Sequence, residues 1–490
     1  MGLLAVIGCM QPGMRSKPAA ILSTASTSRV EAVAKREGDF RMLGNGRVRI
    51  MSRGEFVLDH EDSDHLYIIV YPTPAVVPSF RAAEPTAVSE TPVPDKRGAL
   101  KLVDIGHGLP HTGQWRDNFA VGDLLGDGST QLVFAPPRKS GDTPLIFREQ
   151  PDGWHRISLQ VPVATYDYGG AAVADIDGDG RNDLVLAMHL TGFSALRAEA
   201  NGTFSAFAPN LSKRRDAQMS GSGVAVLALP ATPRTAATVM LLREPVGASG
   251  SADQMPGLAT YRYSAERFIN IPLAGKKLAG DRLEFAPSTV RCAAKLAVRS
   301  TYSGPPPLFE TRDETTWNAR AIESFPDPAA TRVSAVSLGD ADGYGCSDIA
   351  VAYSRRIGDA WHSVVDVYLD RGTNWQRINL ADDTRGARVT AMTFAASAPR
   401  SGAQVLFALD DDGKLRAYGI RANSGELLLD SPAPDWRHGC AGTDIHALPP
   451  DSSGELRVAA SFAGEPIMGA FDRCRDGGGL EAWRVEDVRA

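Results

Sequence analysis

An acidic turn set between two short apolar runs recurs along this chain at a nearly fixed interval, and that recurrence narrows the fold more than any other feature. Ala171-Ala-Val-Ala174 leads into Asp175-Ile-Asp177-Gly-Asp179-Gly-Arg-Asn-Asp183, and Leu184-Val-Leu-Ala187 follows. The turn returns as Asp340-Ala-Asp342-Gly-Tyr344-Gly-Cys346-Ser-Asp348 and, earlier, as Asp123-Leu-Leu125-Gly-Asp127-Gly-Ser129-Thr-Gln131. Asp123 and Asp175 stand 52 residues apart, and Asp175 and Asp340 stand 165 apart, which is three steps of 55. Two further copies are therefore predicted between them.

At that interval Val224–Leu229 is followed by Thr238–Leu242, and Leu283–Ala286 by Ala294–Val298, both strand pairs without the acidic turn. After Asp348 the pair returns as Thr390–Phe394 with Gln404–Ala408 and as Asp444–Leu448 with Leu456–Ala460, so the copies number seven. Segments opening on Trp154, Trp317, Trp375 and Trp483 share the period and read as the outer strand of their units. Repeats of about 40 to 50 residues with about four strands each are the sign of a β-propeller, whose blades bury their faces only against neighbours. The chain is predicted to be all-β, a seven-bladed β-propeller over residues 101–490, with eight blades as the alternative.

The acidic turns have a specific chemistry. Alternate residues of a tight turn can aim their oxygens at one centre, and calcium takes six to eight oxygens at about 2.3 to 2.6 Å. Gly178 and Gly180 supply the backbone freedom that such a turn needs. No glutamate stands at a twelfth position and strand-like residues flank the turn, which excludes an EF-hand.

The run Ala174-Asp-Ile-Asp-Gly-Asp-Gly-Arg-Asn-Asp-Leu-Val-Leu-Ala187 resembles the FG-GAP or VCBS-type repeat of integrin-alpha-like propellers and bacterial surface proteins. The resemblance implies that the turn joins a blade's innermost strand to the next and binds calcium on one face of the disc. It implies Asp175, Asp177, Asp179 and Asp183 as side-chain ligands, with the Arg181 carbonyl completing the set. Asp340, Asp342 and Asp348 match three of these, with Cys346 at the carbonyl position and Tyr344 in place of the third carboxylate, so weaker binding is expected there. Only Asp123 and Asp127 survive as carboxylates in the first copy, which predicts against tight binding.

Val6-Ile7-Gly8-Cys9 resembles a bacterial lipobox, in which the cysteine sulfur is acylated. Only eight residues, none basic, precede Cys9, so the segment reads as the stump of a lipoprotein signal whose true start lies upstream. An unmodified Met1 in the mass spectrum of the native protein contradicts that reading. Residues 1–40 are read as signal and tether with a short helix at Arg29–Arg36, 41–78 as a small β appendage or extra blade strands, and 79–100 as a Pro-rich linker. Leu102–Ile105 is either part of that appendage, an eighth-blade strand, or a closing strand beside the Trp483 segment.

Setting Cys9 aside leaves Cys292, Cys346, Cys440 and Cys474, an even number that suits an oxidising compartment. Cys440 and Cys474 share a repeat, Cys292 and Cys346 occupy similar places in adjacent repeats, and three pairings stay open. The net charge of -6 offers no basic footprint, so nucleic acid is not an expected partner. No apolar run of about 18 residues is present, so a membrane is reached only through the lipid at Cys9. No nucleophile elbow, zincin pair or phosphate loop is found. The expected function is a calcium-stabilised scaffold, anchored to the outside of a bacterial cell envelope or secreted, that binds a protein or glycan. The alternative is a secreted polysaccharide lyase or hydrolase on the same propeller, since paired acids can meet across blades.

Overall fold

The computed structural model describes the backbone of residues 29–34, 40–44, 47–50, 54–61 and 65–70, and residues 100–488 apart from 114, 116–117, 137–142, 163–168, 189–191, 208–221, 231–235, 245–256, 265–266, 272–277, 279, 301–303, 313–315, 327–330, 358–359, 385, 397–402, 422–423, 438–439, 451–453 and 464–477. Cys9 and Cys474 lie outside the described residues. The chain divides into two units, Met1–Thr91 and Pro92–Ala490.

The first unit holds one antiparallel sheet of Arg29–Ala34, His65–Val70, Gly54–Glu61, Arg47–Ile50 and Phe40–Gly44, in that spatial order. The helix predicted at Arg29–Arg36 is a strand instead, with Arg29 opposite Val70 and Ala34 opposite His65. Val30 and Val33 favour extended backbone, and the edge of His65–Val70 gives that backbone a hydrogen-bonding partner that a lone helical turn lacks.

The second unit is a seven-bladed β-propeller. It contains seven four-stranded antiparallel sheets. Their innermost strands are Ala120–Gly122, Ala171–Ala174, Ser222–Leu229, Gly280–Ala286, Thr331–Gly339, Val389–Ala396 and Ala441–Leu448, which define blades 1 to 7 in chain order. Each innermost strand packs beside that of the next blade, and blade 7 returns to blade 1. The hydrophobic core is split accordingly into seven clusters, one between each neighbouring pair of blades.

This arrangement explains why the second strands read as unbroken apolar runs rather than alternating ones. In Leu184-Val185-Leu186-Ala187 every side chain is fully buried. Leu184 and Leu186 face blade 1, whereas Val185 and Ala187 face blade 3. Successive side chains of a strand point to opposite faces, so a sheet sandwiched on both sides needs apolar residues at every position.

Leu100–Asp104 is the closing strand: it forms the outer strand of blade 7 and pairs with Gly479–Asp487, Asp104 lying opposite Trp483. The ring is thus fastened by strands from opposite ends of the propeller sequence. Trp483 consequently stands on a third strand, contrary to its reading as an outer-strand residue. Trp154, Trp317 and Trp375 do mark outer edges. Trp154 Nε1 donates to Ile105 O and Trp375 Nε1 to Ala321 O, both at 3.0 Å, so each buried indole fastens its blade to the chain leaving the preceding one.

Glu481, on the third strand of blade 7, is buried beside this seam. Trp436 Nε1 donates to its carboxylate, and His111, whose ring stacks on Trp436 at 4.6 Å, comes within 3.4 Å. Burial, with a smaller contribution from Asp104, raises the carboxyl from 4.5 to about 7 despite the Trp436 bond. A carboxyl raised in the folded state favours folding below its unfolded value, and that contribution is lost as pH rises through the folded value. Wild-type stability in urea should therefore fall between pH 5 and pH 8. Glu481→Gln should flatten that slope and be about 1–3 kcal/mol more stable than wild type at pH 8.

Candidate metal centre

Every blade repeats the same strand order, so the turns joining innermost to second strands emerge on one face of the disc. Three of them share a nine-residue design. Glycines at the fourth and sixth positions adopt left-handed backbone: φ is 69° and 79° at Gly126 and Gly128, 81° and 85° at Gly178 and Gly180, and 76° and 86° at Gly343 and Gly345. A side chain at any of these positions would strain the turn. The second position, Leu124, Ile176 or Ala341, is an apolar anchor buried in a core cluster.

The ninth residue closes each turn. Asp183 is fully buried, and its two carboxylate oxygens accept from Ile176 N and Ala198 N, both at 2.8 Å. Asp348 does the same for Ala341 N and Asp370 N. In blade 1 the Gln131 amide oxygen accepts from Leu124 N and Leu125 N, reproducing the closure without a charge.

Asp175, Asp177 and Asp183 bring carboxylate oxygens within 4.8 Å of one another, as do Asp340, Asp342 and Asp348. Either cluster could hold a metal ion. Asp179 is not in the first cluster, because its carboxylate turns to the Arg181 guanidinium, which also donates to Ala198 O. Asp123 and Asp127 join no three-carboxylate cluster among the described residues. Asp123 accepts from Asp127 N and Gly128 N, and Asp127 pairs with Arg148 at 2.7 Å. A guanidinium and an amide thus do in blade 1 what a cation would do elsewhere.

The two clusters are electrostatically incomplete. Burial, together with neighbouring Asp177 and Asp179, raises Asp183 to about 7, and burial with Asp342 and Asp340 raises Asp348 likewise to about 7. Asp340 Oδ1 is buried without a hydrogen-bond partner. An all-oxygen donor set with excess negative charge suits a hard divalent cation. Each cluster also has an arginine on its third-position carboxylate, Arg197 at 2.7 Å from Asp177 and Arg371 beside Asp342. With Arg148 these arginines come from, or directly follow, the third strand of their blades. Variable hairpin lengths hide that pattern in the sequence, where the arginine follows the ninth position by 14 to 23 residues.

The structure joins Cys292 to Cys346, with Cα atoms 5.4 Å apart, and Cys440 is also disulfide-bonded. Trp115 and Tyr261 are buried in core clusters, as inter-blade packing of aromatic residues requires.

A second polar cluster, not visible in the sequence, fills the channel at the centre of the ring. Arg282 on the innermost strand of blade 4 pairs with Asp444 on that of blade 7 and donates to Thr443 O at 2.9 Å. Blades 4 and 7 are not neighbours, so the pair spans the axis. His446 Nε2 lies 3.0 Å from Asp444. Arg299 of blade 4 pairs with Asp281 and donates to Ser334 O of blade 5 and Thr390 O of blade 6. Glu284, two residues beyond Arg282, is raised by burial to about 7, against the pull of Arg282 and His446.

Fold and site together define a seven-bladed β-propeller bearing acidic turns on one face. Residues 123–186, from the blade 1 turn to the second strand of blade 2, match the family model of the FG-GAP-like repeat. No curated protein matches the chain. Solved structures similar to it include BBS1N in complex with ARL6DN, at 12% identity over 80% of this chain and 98% of that one, with a TM-score of 0.46. BP39L lectin from Burkholderia pseudomallei is 14% identical over 72% of this chain and 99% of its own, with a TM-score of 0.45. The Dos1 propeller is 12% identical over 78% and 95%, with a TM-score of 0.43.

Proposed function

We propose that this protein is a calcium-stabilised propeller that acts as a binding scaffold for a protein or glycan. The carrying observation is the pair of three-carboxylate clusters at the same turn of blades 2 and 5, in each of which burial and the neighbouring carboxylates raise the ninth-position carboxyl to about 7. Asp175, Asp177 and Asp183 would hold one ion and Asp340, Asp342 and Asp348 another, the same three turn positions supplying the carboxylates in both blades. The ion supplies charge neutralisation and cross-linking; the residues order the turn, and turns on a rigid disc determine what is bound. An extracytoplasmic setting, with lipid attached at Cys9 or with the protein secreted, is part of the proposal. Disulfides at Cys292–Cys346 and Cys440 support it, since such bonds persist in oxidising compartments.

Calcium at about a hundred times its dissociation constant should stabilise the fold by about 2.7 kcal/mol. A chelator should lower the melting temperature accordingly, and Asp177→Ala should abolish the blade 2 share of that shift. Melting curves indifferent to both would remove calcium from the proposal. A glycan array probed with and without chelator tests the ligand class directly.

The channel cluster favours a second reading, an enzyme acting on acidic polysaccharide. Arg282, Glu284, Asp444 and His446 place guanidinium, carboxyl and imidazole groups within one small space away from the acidic turns. Depolymerisation of polyuronate that disappears in His446→Ala, with the fold intact, would favour the enzyme over the scaffold.

A further inference from the structure

We propose that the Cys292–Cys346 disulfide sets the cation affinity of the blade 5 turn, so that this turn alone loads or releases its ion according to thiol–disulfide state. The inference rests on reading the acidic turns as cation sites.

Cys346 is the seventh residue of that turn, two positions before Asp348, and is buried. Its partner Cys292 is half-buried in the corresponding turn of blade 4, between Gly280–Ala286 and Ala294–Ser300. The blade 4 turn has no carboxylates of its own, but it grips its neighbour along three consecutive residues. Arg291 Nη1 donates to Tyr344 O at 3.1 Å, Thr289 Oγ1 donates to Gly345 O at 2.8 Å, and the disulfide holds Cys346. The gripping turn is itself braced: Cys292 N donates to Thr289 Oγ1, and Thr289 N to Cys292 O. The blade 2 turn meets the turn of blade 1 through a hydrogen bond from its eighth residue, Asn182 Nδ2, to Asp123 O, and its seventh residue is Arg181, which cannot form a disulfide. Asp340 Oδ1, buried and without a partner, lies within the blade 5 turn that this bridge holds.

A turn fixed in advance loses little conformational entropy when its donors close on an ion; a released turn must be ordered at binding. Freeing the backbone of even one residue corresponds to about a tenfold loss of affinity. The chemistry is a two-electron reduction by a dithiol. Its thiolate attacks the Cys292 sulfur, the S–S bond breaks, and Cys346 leaves as a thiolate that takes up a proton. The second thiol of the reductant then resolves the mixed disulfide, releasing Cys292 as a thiol and leaving the reductant as a cyclic disulfide.

Terbium(III) is a suitable probe, because Tyr344 occupies the fifth position of the blade 5 turn and can sensitise its luminescence. Titrations would use the full chain carrying Asp175→Asn and Asp177→Asn, which silence blade 2. The tyrosine-sensitised signal should saturate at about tenfold higher terbium, or more, in dithiothreitol-reduced protein and in Cys292→Ser than in oxidised protein. Tyr344→Phe should extinguish the signal. With Asp340→Asn and Asp342→Asn instead, calcium binding to blade 2 measured by calorimetry should not change on reduction. Equal terbium affinity in oxidised and Cys292→Ser protein would overturn the redox inference while leaving the cation site standing. No terbium binding to the oxidised blade 5 turn would overturn the cation reading itself. The reduced wild-type chain supplies the comparison if Cys292→Ser fails to fold.

Discussion

Arg282→Met is expected to lower stability by about 3–5 kcal/mol, because it leaves the fully buried Asp444 carboxylate without its counter-charge. Burial alone would raise Asp444, but Arg282 first and His446 second hold it well below the usual carboxylate range. A depressed carboxyl contributes stability above its unfolded value of 3.8, and that contribution is lost as pH falls through the folded value. Without Arg282 the sign reverses, since burial then dominates and the carboxyl is raised. The deficit of the variant in urea unfolding should therefore be large at pH 7.5 and shrink toward pH 4, as Asp444 takes up a proton. Arg282→Met with Asp444→Leu should recover most of the loss, since removing both members of a buried pair is often nearly neutral. A single variant as stable as wild type at pH 7.5 would mean that the pair across the channel is not made.

Asp183→Ala should lower stability by about 2–6 kcal/mol even in chelator, because the buried amides of Ile176 and Ala198 each lose an acceptor at about 1–3 kcal/mol. Asp177→Ala in chelator should do far less, since the Asp177 carboxylate faces Arg197 at 2.7 Å and its Oδ1 accepts only one long bond, from Asp179 N at 3.3 Å. The contrast separates two roles that look identical in the sequence. One aspartate closes the turn whether or not a metal is bound; the other matters when it is. Blade 1 already carries the control, with Gln131 closing its turn through an uncharged amide. Equal losses for the two variants in chelator would refute the distinction. Thermal or urea unfolding in calcium and in chelator, run side by side, reads both terms.

The seven-blade count was legible because each blade needs an innermost and a second strand that are apolar, and those runs recur near one interval, from Ala171–Ala174 with Leu184–Ala187 to Asp444–Leu448 with Leu456–Ala460. The acidic turns were legible for a related reason. Left-handed glycines at Gly178 and Gly180 and carboxylates at alternate positions are local requirements, met within nine residues. The strand at Arg29–Ala34 was not legible, since a distant partner, His65–Val70, decided it. Arg148, Arg197 and Arg371 were hidden because hairpins of unequal length carry them to the turns.

By itself the sequence determined the repeat, the all-β architecture and the turns able to gather oxygen ligands, because periodicity and short-range backbone geometry are written in neighbouring residues. Only the tertiary structure decided which partners those residues meet. It joined Leu100–Asp104 to Gly479–Asp487, Cys292 to Cys346 and Arg282 to Asp444. These contacts exist because the ring closes, and closure brings together groups separated by as many as 387 residues, Leu100 and Asp487, that no local pattern relates.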